Sequence, residues 1–568
     1  MKPRILRIRI LSVFFVVFAL VLVFRLYTLQ VIDRGDFLDK ADRQYVQTST
    51  NLFNRGSIYF KNANATIISA ATLKTGYILA INPTKIKDIE VVYSKLNTIV
   101  ALDHDTFVAR AKKTIDPYEE IAKHLDEETA KKIDSLKLVG VSTYEERWRY
   151  YPQGPLASQV LGFVGYKGDE LTGRYGVESY YNDILDRKNK DIYVNFFAEL
   201  FSNIKSGTVS ADEGDITLTI EPSVQGYLEK QLKKVSDTFS PTLTGGIIIN
   251  PKTGEIAAMG AYPSFDPNAY QTEKSATVFI NPLVQNIYEM GSIIKPLTMA
   301  AGIDSGTVTP TSTYNDQGSL TLNNYTIYNF DKRARGPGTS MQEVLNQSLN
   351  TGVAHVALKM GRENFSKYIR NYGLGEKTGI DLPGEIAGHI QNLKNNRDIE
   401  DATAAYGQGI ALTPIETVRA LSSLANGGTL ITPHIVKSIQ YKTGMIKTIK
   451  PDVGPRVLSE DTTQKITAML TTVVDKALLN GQIKMDRYSI AAKTGTAQIA
   501  RDDGKGGYFE DRYLHSFFGY FPATNPQYLV FLFTVYPKGV SYASHTLTVP
   551  FQEITKFLLS YYQIPPDR

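Results

Sequence analysis

In the segment Glu289-Met-Gly-Ser-Ile-Ile-Lys-Pro296, a serine and a lysine lie three positions apart between a glycine and a proline. Because proline is tolerated in the first turn of a helix, Gly291 and Pro296 mark a predicted helix start, with Ser292 and Lys295 on one face. The unpaired N–H groups of a helix start favour negative charge nearby, and a desolvated lysine one turn along can accept a hydroxyl proton. The segment therefore predicts a serine nucleophile with a lysine base.

This Ser-x-x-Lys spacing is not specific by itself. At average composition it arises by chance about twice in a chain of this length. A second copy, Ser202-Asn-Ile-Lys205, is indeed present. The assignment of Ser292 therefore depends on further motifs downstream.

A second motif, Ser348-Leu-Asn350, lies in a predicted helix whose start is indicated by the capping box Ser340-Met-Gln-Glu343. Asn350 and the following Thr351-Gly352 are poor helix residues, so we expect the helix to break here, with the hydroxyl and the amide facing a cleft. Serine and asparagine at a helix end are more often caps than catalysts. The tripeptide alone therefore identifies no site.

A third motif, Lys493-Thr-Gly-Thr496, follows a run of small and apolar residues and continues into a further β-like run. A strand here would present a lysine, a hydroxyl and a free backbone N–H to an anionic acyl substrate, and its glycine would allow close approach. The tripeptide Lys-Thr-Gly is otherwise common in the chain, and the copies at 252 and 442 lie between β-like runs, which predicts hairpin turns. The other copies begin at Lys74, Lys252, Lys377 and Lys442.

The three motifs occur in the order SxxK, SxN, KTG, which is the signature of penicillin-binding proteins and serine β-lactamases. The chain resembles the class B penicillin-binding proteins, the monofunctional transpeptidases of cell-wall synthesis, and most closely their septal, cell-division type. The resemblance covers nearly the whole chain. Outside the three motifs it rests on Arg25-Leu-Tyr-Thr-Leu-Gln30, Arg55-Gly-Ser-Ile58, Arg149-Tyr-Tyr-Pro-Gln-Gly154, Leu161-Gly-Phe163, Gly176-Val-Glu178, Pro263-Ser-Phe-Asp-Pro-Asn268 and Tyr406-Gly-Gln-Gly409.

Two positions depart from the pattern of that family. Met290 stands where the family usually has proline before the nucleophile, which loosens the preceding turn without removing a reacting group. Tyr59-Phe-Lys-Asn62 stands where the family commonly has an Asp-Arg-Asn-Gly-like turn. The second departure concerns partner contacts rather than the chemistry.

The resemblance implies a role for each motif residue. Ser292 would attack the penultimate D-alanine carbonyl of a peptidoglycan stem peptide ending in D-Ala-D-Ala, with Lys295 as general base. Ser348 would relay the proton towards the departing D-alanine, and Asn350 would orient Lys295 and the substrate amide. The implied substrate-binding residues are Lys493, Thr494, Gly495 and Thr496, with the backbone N–H groups of Ser292 and Thr496 as oxyanion hole.

The resemblance also implies which other molecules take part in the reaction. An amine from a neighbouring stem peptide would resolve the acyl-enzyme, and β-lactams would acylate Ser292 because they imitate D-Ala-D-Ala. No metal and no organic cofactor is required. We expect a glycosyltransferase of the division or elongation machinery as protein partner.

The N-terminal segment predicts the compartment. An apolar run begins at Ile10 and, if Arg25 is tolerated, reaches Ile32, a length of roughly 34 Å that suffices for a hydrocarbon core of about 30 Å. Four basic residues precede the run, so the positive-inside rule predicts a cytoplasmic tail at 1–9, a single-pass anchor at 10–32 and a catalytic part outside the cytoplasm. The alternative is a cleaved signal peptide, but no small-x-small site follows the run.

The rest of the chain predicts an α+β protein of two parts. We expect an elongated α+β pedestal of the dimerisation type at 33–206, with a helical stretch at 119–137 and a β-like run at 156–164. A new unit at 214–568 begins with a strand before Pro222, a helix, and a hairpin over 245–259. By the resemblance, this transpeptidase part is an antiparallel sheet flanked by helices, as in serine β-lactamases.

Composition excludes several other classes of protein. The 62 basic and 57 acidic residues leave a net charge of only +5, and no basic stripe interleaved with aromatics is present, so we expect no nucleic acid as partner. Without cysteine there is no disulfide and no thiolate nucleophile. The seven histidines form no HExxH motif, so a metal hydrolase has little support.

Alternative functions remain open at this point. An elongation-type transpeptidase is distinguished from the septal type by resemblance alone. A β-lactamase or D,D-carboxypeptidase would use the same motifs but transfer the acyl group to water. A non-catalytic β-lactam sensor or scaffold is a further alternative, although every polar group of the three motifs is present.

Overall fold

In the computed structural model, the described residues are 18, 20–22, 53–113, 116–168, 170–187, 213–501, 503–504 and 506–568. The predicted tail, the predicted anchor apart from residues 18 and 20–22, and the second SxxK copy at 202–205 lie outside them. Within this described part, no helix has the length and apolar character needed to cross a membrane.

The chain folds into two compact units. The smaller unit is built on Leu73–Trp148, and the larger one contains Arg55–Thr72, Arg149–Arg187 and the described part of Asn195–Arg568. Both units combine helices and strands, so the predicted mixed α+β class is confirmed.

The strands are numbered in chain order. They are β1 Ile58–Lys61, β2 Ile67–Ile81, β3 Glu119–Leu125, β4 Val141–Tyr150, β5 Val164–Lys167, β6 Glu170–Gly173, β7 Gly214–Leu218, β8 Leu243–Ile249, β9 Ile256–Tyr262, β10 Thr313–Asp316, β11 Ser319–Leu322, β12 Tyr325–Tyr328, β13 Gly336–Ser340, β14 Thr429–Ile431, β15 Val436–Tyr441, β16 Ile446–Thr448, β17 Val453–Arg456, β18 Ala491–Ala500, β19 Tyr508–Phe521 and β20 Tyr528–Val535.

The α-helices are numbered in the same way. They are α1 Ile89–Asn97, α2 His104–Ala111, α3 Glu127–Ser135, α4 Ser158–Leu161, α5 Gly176–Tyr180, α6 Asn182–Leu185, α7 Pro222–Phe239, α8 Pro282–Gln285, α9 Lys295–Asp304, α10 Met341–Asn346, α11 Asn350–Met360, α12 Arg362–Asn371, α13 Asp398–Ala404, α14 Pro414–Ala425, α15 Glu460–Thr472, α16 Ala543–Thr546 and α17 Thr548–Tyr561.

The larger unit is organised around a five-stranded antiparallel sheet in the order β18-β19-β20-β8-β9. Strand β20, Tyr-Leu-Val-Phe-Leu-Phe-Thr-Val, is rich in β-branched and aromatic residues and is buried at six consecutive positions. Such continuous burial requires cover on both faces of a sheet. The predicted hairpin over 245–259 is confirmed as β8 and β9, with Lys252 in the turn between them.

Helices cover both faces of this sheet. A methyl group added at Gly245 would meet Leu283 of α8, whereas one added at the next residue, Gly246, would meet Leu228 of α7. Because successive residues of a strand point to opposite faces, α7 and α8 lie on opposite sides. Pro222 occupies the first turn of α7, as predicted from the sequence.

A buried carboxylate joins three segments of the larger unit that are far apart in sequence. Glu178 accepts hydrogen bonds from Arg55 Nε and Arg149 Nε, both at 2.6 Å, and from the Tyr151 hydroxyl at 3.2 Å. Burial by itself raises the pKa of Glu178. The two arginines together lower that pKa by a larger amount, so its net shift is downward. Three of the segments that carry the family resemblance therefore meet at one ion cluster.

The smaller unit has a core of its own. Within it, β2 pairs with β3 in antiparallel fashion, from Tyr77 opposite Leu125 to Ile81 opposite Glu119. The helices α1, α2 and α3 pack their apolar residues against this pair, and the core consists of Leu79, Ile81, Val92, Leu96, Phe107, Ala111 and Ile133.

Two local predictions in the pedestal region were wrong, at least in part. The charged stretch 119–137 holds a strand, β3, before its helix α3, because Ile121 and Leu125 pack into the core of the smaller unit. The run 156–164 contains the short helix α4, whose four residues are all buried, and only its last residue, Val164, belongs to a strand. Tertiary packing overrides local propensity at both places.

Candidate active site

Ser292 lies one turn ahead of Lys295 at a helix start. A 3-10 helix, Gly291–Ile294, runs directly into α9, as the sequence predicts. From Met290 to Ile303 every residue is buried except Ser292, which is partly exposed. Its hydroxyl is therefore the accessible nucleophilic group of this segment.

Gly291 brings this helix start against strand β18. Its φ is +65°, and a Cβ added there would lie only 2.9 Å from the carbonyl oxygen of Thr496. On the neighbouring strand β19, Ser516 Oγ donates a hydrogen bond of 2.8 Å to the Met290 carbonyl. These contacts place the backbone at Ser292 beside the backbone at Thr496, and they require glycine at 291.

The amine of Lys295 is held by the SxN motif. Lys295 Nζ lies 2.8 Å from Asn350 Oδ1, 3.2 Å from Ser348 Oγ and within hydrogen-bond distance of the Ser348 carbonyl. Ser348 has a φ of +54° and lies in the link between α10 and α11. A helix break is therefore present, but it precedes Asn350, and Asn350-Thr351-Gly352 begin α11 instead of ending the predicted helix. The other end of the Asn350 side chain is fixed by a hydrogen bond of 2.8 Å that its Nδ2 donates to the Tyr328 carbonyl.

Strand β18 presents the KTG motif to the same hydroxyl. Lys493 Nζ lies 3.0 Å from Ser348 Oγ and 3.0 Å from the Thr494 carbonyl. A Cβ at Gly495 would lie 2.3 Å from Ser516 Oγ, so no side chain fits there. Thr496 Oγ1 accepts a hydrogen bond from Ala543 N at 3.2 Å, which ties the end of the motif to helix α16.

Both lysines are buried, and burial lowers the pKa of each. Burial lowers the pKa of Lys493 to about 7. For Lys295, burial is again the main cause of a pKa well below its usual range, and repulsion by Lys493 adds to it. Within the described residues neither ammonium has a carboxylate within ion-pair distance. The site therefore favours a neutral amine beside a hydroxyl at neutral pH, which is what general-base catalysis requires.

The structure thus brings Lys295, Ser348, Asn350 and Lys493 into one hydrogen-bonded cluster, although they are up to 198 positions apart. Thr494, Gly495 and Thr496 follow on the same strand, and Ser292 lies at the helix start that packs on it. No group of three or more potential metal-ligating side chains is found among the described residues.

Sequence reasoning gave no role to Glu289, three residues before Ser292. Its carboxylate accepts from the Tyr508 hydroxyl at 2.9 and 3.1 Å and from the Gly409 backbone, so it connects the helix start to β19 and to the Tyr406-Gly-Gln-Gly409 segment. Burial raises its pKa to about 7. The signal in the sequence was the carboxylate itself, since Glu289 is the one acidic residue of the segment Glu289-Met-Gly-Ser-Ile-Ile-Lys-Pro296.

Two further exposed aromatic residues near the site, Phe330 and Tyr542, were not identified from the sequence. Their ring centroids are 6.1 Å apart in an edge-to-face arrangement. Phe330 lies two residues after Tyr328, the acceptor of the Asn350 amide, and Tyr542 immediately precedes Ala543, the donor to Thr496. The pair therefore links the segments beside the SxN and KTG motifs.

Comparison with known proteins places this site in a family. Residues 244–556 match the penicillin-binding protein transpeptidase domain, and residues 51–199 match the penicillin-binding protein dimerisation domain. The chain is 31% identical to stage V sporulation protein D of Bacillus subtilis over 508 residues, which cover 87% of this chain and 76% of that protein. It is 27% identical to the peptidoglycan D,D-transpeptidase FtsI of Buchnera aphidicola, covering 97% and 94% of the two chains.

Solved structures show the same fold. Penicillin-binding protein 2X of Streptococcus thermophilus superposes with a TM-score of 0.72 at 20% identity, over 90% of this chain and 81% of that one. Penicillin-binding protein 3 of Mycobacterium tuberculosis superposes with a TM-score of 0.68 at 23% identity, over 91% and 98%. The motif order, the clustered site and the family match over most of the chain agree, and the chain belongs to the penicillin-binding protein transpeptidase family.

Proposed function

We propose that this chain is a membrane-anchored peptidoglycan D,D-transpeptidase that cross-links stem peptides through an acyl-enzyme on Ser292. The observation that carries the proposal is the convergence of two buried lysines on Ser348, beside the one accessible hydroxyl of the helix start. The names of the relatives, among them a peptidoglycan D,D-transpeptidase, support the same reaction.

In the acylation step, the Ser292 hydroxyl attacks the carbonyl of the penultimate D-alanine while Lys295, as a neutral amine, accepts its proton. Ser348, hydrogen-bonded to both amines, passes a proton to the leaving nitrogen, and the terminal D-alanine departs as the free amino acid. Asn350 holds Lys295 in position. The oxyanion of the tetrahedral intermediate is stabilised by the backbone N–H groups of Ser292 and Thr496.

Substrate recognition is assigned to the strand motif. Lys493 and Thr494 bind the terminal carboxylate of the D-Ala-D-Ala substrate, and Gly495 allows its backbone to approach. β-Lactams, which imitate this end, acylate the same serine. In the second step an amine of a neighbouring stem peptide attacks the ester, forms the cross-link and releases Ser292 with its proton restored.

The setting of the enzyme is part of the proposal. Residues 1–9 form the cytoplasmic tail, 10–32 the membrane anchor, 33–206 the pedestal and 214–568 the extracytoplasmic transpeptidase domain. The resemblance to septal enzymes favours a role in division with a glycosyltransferase partner, and a fluorescent fusion tests this. Localisation at mid-cell is expected, and localisation along the side wall would favour the elongation-type alternative.

Transfer to an amine distinguishes the proposed reaction from hydrolysis. The full-length protein in detergent is incubated with a pentapeptide ending in D-Ala-D-Ala, with and without an acceptor amine. Mass spectrometry is expected to find the amide product, with little hydrolysed peptide. Hydrolysis that ignores the acceptor would identify a D,D-carboxypeptidase, and rapid turnover of penicillin would identify a β-lactamase. Ser292→Ala is expected to abolish product, while Ser202→Ala, in the second SxxK copy, serves as the matched control.

A further inference from the structure

A cavity of about 450 Å³ lies in the larger unit. Its lining does not include the proposed catalytic cluster, which consists of Ser292, Lys295, Ser348, Asn350 and Lys493. The cavity is lined by the end of α12 and the turn that follows, by α14 and by strands β14 and β17. Its charged lining residues are Arg370, Arg419, Arg456 and Glu376. Its volume lies within the range of small-molecule binding sites.

Arg419 is the buried cation of this cavity, with 8% of its surface exposed. It donates to the carbonyl oxygens of Gly373 at 2.7 Å and Lys377 at 3.2 Å, but its Nε has no hydrogen-bond partner within the described part of the chain. Burial lowers its pKa. An arginine is rarely buried without an anionic partner, because desolvation of its charge is costly.

The carboxylate of Glu416, close to Arg419 in sequence, compensates the positive charge of Arg419 only in part. Glu416 lies three residues before Arg419 on α14, and burial raises its pKa to about 7. Its two oxygens already accept hydrogen bonds from the backbone N–H groups of Gly375 and Thr413. Glu416 is therefore partly protonated at neutral pH and held by the backbone.

The other two arginines are available to a ligand. Arg370 donates a hydrogen bond of 2.6 Å to Ser366 Oγ, and Arg456 donates one to the Gly427 carbonyl. Each guanidinium is therefore hydrogen-bonded to one uncharged oxygen. None of the three cavity arginines forms an ion pair with a carboxylate in the described residues, whereas the arginines that do form such pairs lie elsewhere. Against the three arginines the lining holds one acidic residue, Glu376, so the lining itself has a formal net charge of +2, while Glu416 and Glu385 act on Arg419 from outside the lining.

We propose that this cavity binds a phosphate group, carried on a small organic molecule or present as the free ion. A phosphate monoester holds close to two negative charges at pH 7, which matches the formal net charge of +2 on the cavity lining better than one carboxylate does. Guanidinium groups bind phosphate oxygens through paired, charge-assisted hydrogen bonds. The proposal is independent of the proposed catalytic function, because none of the lining residues belongs to that cluster.

Isothermal titration calorimetry of the full-length protein in detergent tests the proposal. Inorganic phosphate, glycerol 3-phosphate and acetate are titrated separately at constant ionic strength. Saturable binding of one or both phosphates, at least about tenfold tighter than acetate, is expected. Tighter binding of glycerol 3-phosphate would assign the cavity to an organic phosphate, and tighter binding of inorganic phosphate to the free ion. Absence of saturable phosphate binding, or equal binding of acetate, would overturn the proposal.

Variants link the binding to this cavity. Arg370→Gln and Arg456→Gln, both at exposed positions, are each expected to weaken phosphate binding about tenfold or more, because each removes a charge-assisted hydrogen bond. Arg397→Gln is the matched control, since Arg397 is paired with Glu400 and does not line the cavity. Unchanged phosphate affinity in both cavity variants, or an equal loss in the control, would contradict the proposal. Penicillin labelling of each variant verifies that it is folded.

Discussion

Lys295 and Lys493 share one hydrogen-bond partner: their Nζ atoms lie 3.2 and 3.0 Å from the same oxygen, Ser348 Oγ. Two amines at one hydroxyl cannot both remain charged in a buried site, because burial and mutual repulsion disfavour the ammonium form. In the proposed mechanism the two amines have separate tasks. Lys295, whose pKa is held well below its usual range by burial and by repulsion from Lys493, acts as the base, while Lys493, with its pKa at about 7, still offers a charge to the substrate carboxylate.

Replacement of Lys295 by methionine is expected to separate activity from stability. Acylation by fluorescent penicillin should fall by about 10²- to 10⁴-fold, since the general base is lost. The melting temperature should stay the same or rise, because a buried amine without an anionic partner is replaced by an apolar chain. Lys556→Met, at a surface lysine paired with Glu553, is the control and should change neither quantity. Wild-type acylation by Lys295→Met would contradict the assignment of the base.

The pH profile of acylation should have an alkaline limb set by Lys493. Because the pKa of Lys493 is about 7, its ammonium is present below that pH and is lost as the pH rises through it, so acylation should decline. Lys493→Arg keeps its charge at all accessible pH values, so its rate, though lower, should not decline between pH 7 and 9. Rates of acylation by stopped-flow fluorescence measure this. Identical profiles for the two proteins would assign the alkaline limb to another group.

The ion cluster at Glu178 is expected to be critical for stability. Glu178→Ala leaves Arg55 and Arg149 buried without their carboxylate, which costs about 3–5 kcal/mol in the free energy of unfolding. Since the folded-state pKa of Glu178 is depressed, its contribution is present above the unfolded pKa and is lost as the pH falls through the folded one. Denaturant unfolding measures both effects. The exposed ion pair of Lys233 and Asp237 is the control, and Lys233→Ala should change the free energy of unfolding little. A loss of stability in Lys233→Ala as large as that in Glu178→Ala would contradict the special importance of the buried cluster.

Glu289 is expected to make stability depend on pH near neutrality. Its folded pKa of about 7 lies above the unfolded value near 4.3, so the stabilisation from its bound proton is complete below the unfolded value and is lost as the pH rises through about 7. Glu289→Gln keeps the shape and the acceptor for Tyr508 but cannot ionise. Its Tm relative to wild type should therefore rise between pH 5 and pH 8. A difference that does not change with pH would contradict the raised pKa.

Much of the catalytic cluster could be predicted from the sequence, because each motif contains its own local constraint. Gly291 and Pro296 mark the helix start at Ser292, and the small residues before Lys493 predict the strand that carries it. The order of the three motifs indicated the family resemblance, and that resemblance implied that the motif residues form one site.

The interactions between distant segments could not be predicted in this way. The contact of Glu289 with Tyr508 joins residues 219 positions apart, and no local pattern specifies it. The wrong assignment at 156–164 has the same origin, since an apolar run of that length fits a buried helix and a buried strand equally well until its neighbours are known. The arginine cavity likewise depends on four elements that only the fold brings together.

The site of acylation tests the central claim most directly. Full-length protein is reacted with excess penicillin, digested with protease, and its peptides are sequenced by mass spectrometry. One stoichiometric penicilloyl adduct on Ser292 is predicted, with no adduct in Ser292→Ala. An adduct on any other residue, or undiminished labelling of Ser292→Ala, would contradict the account.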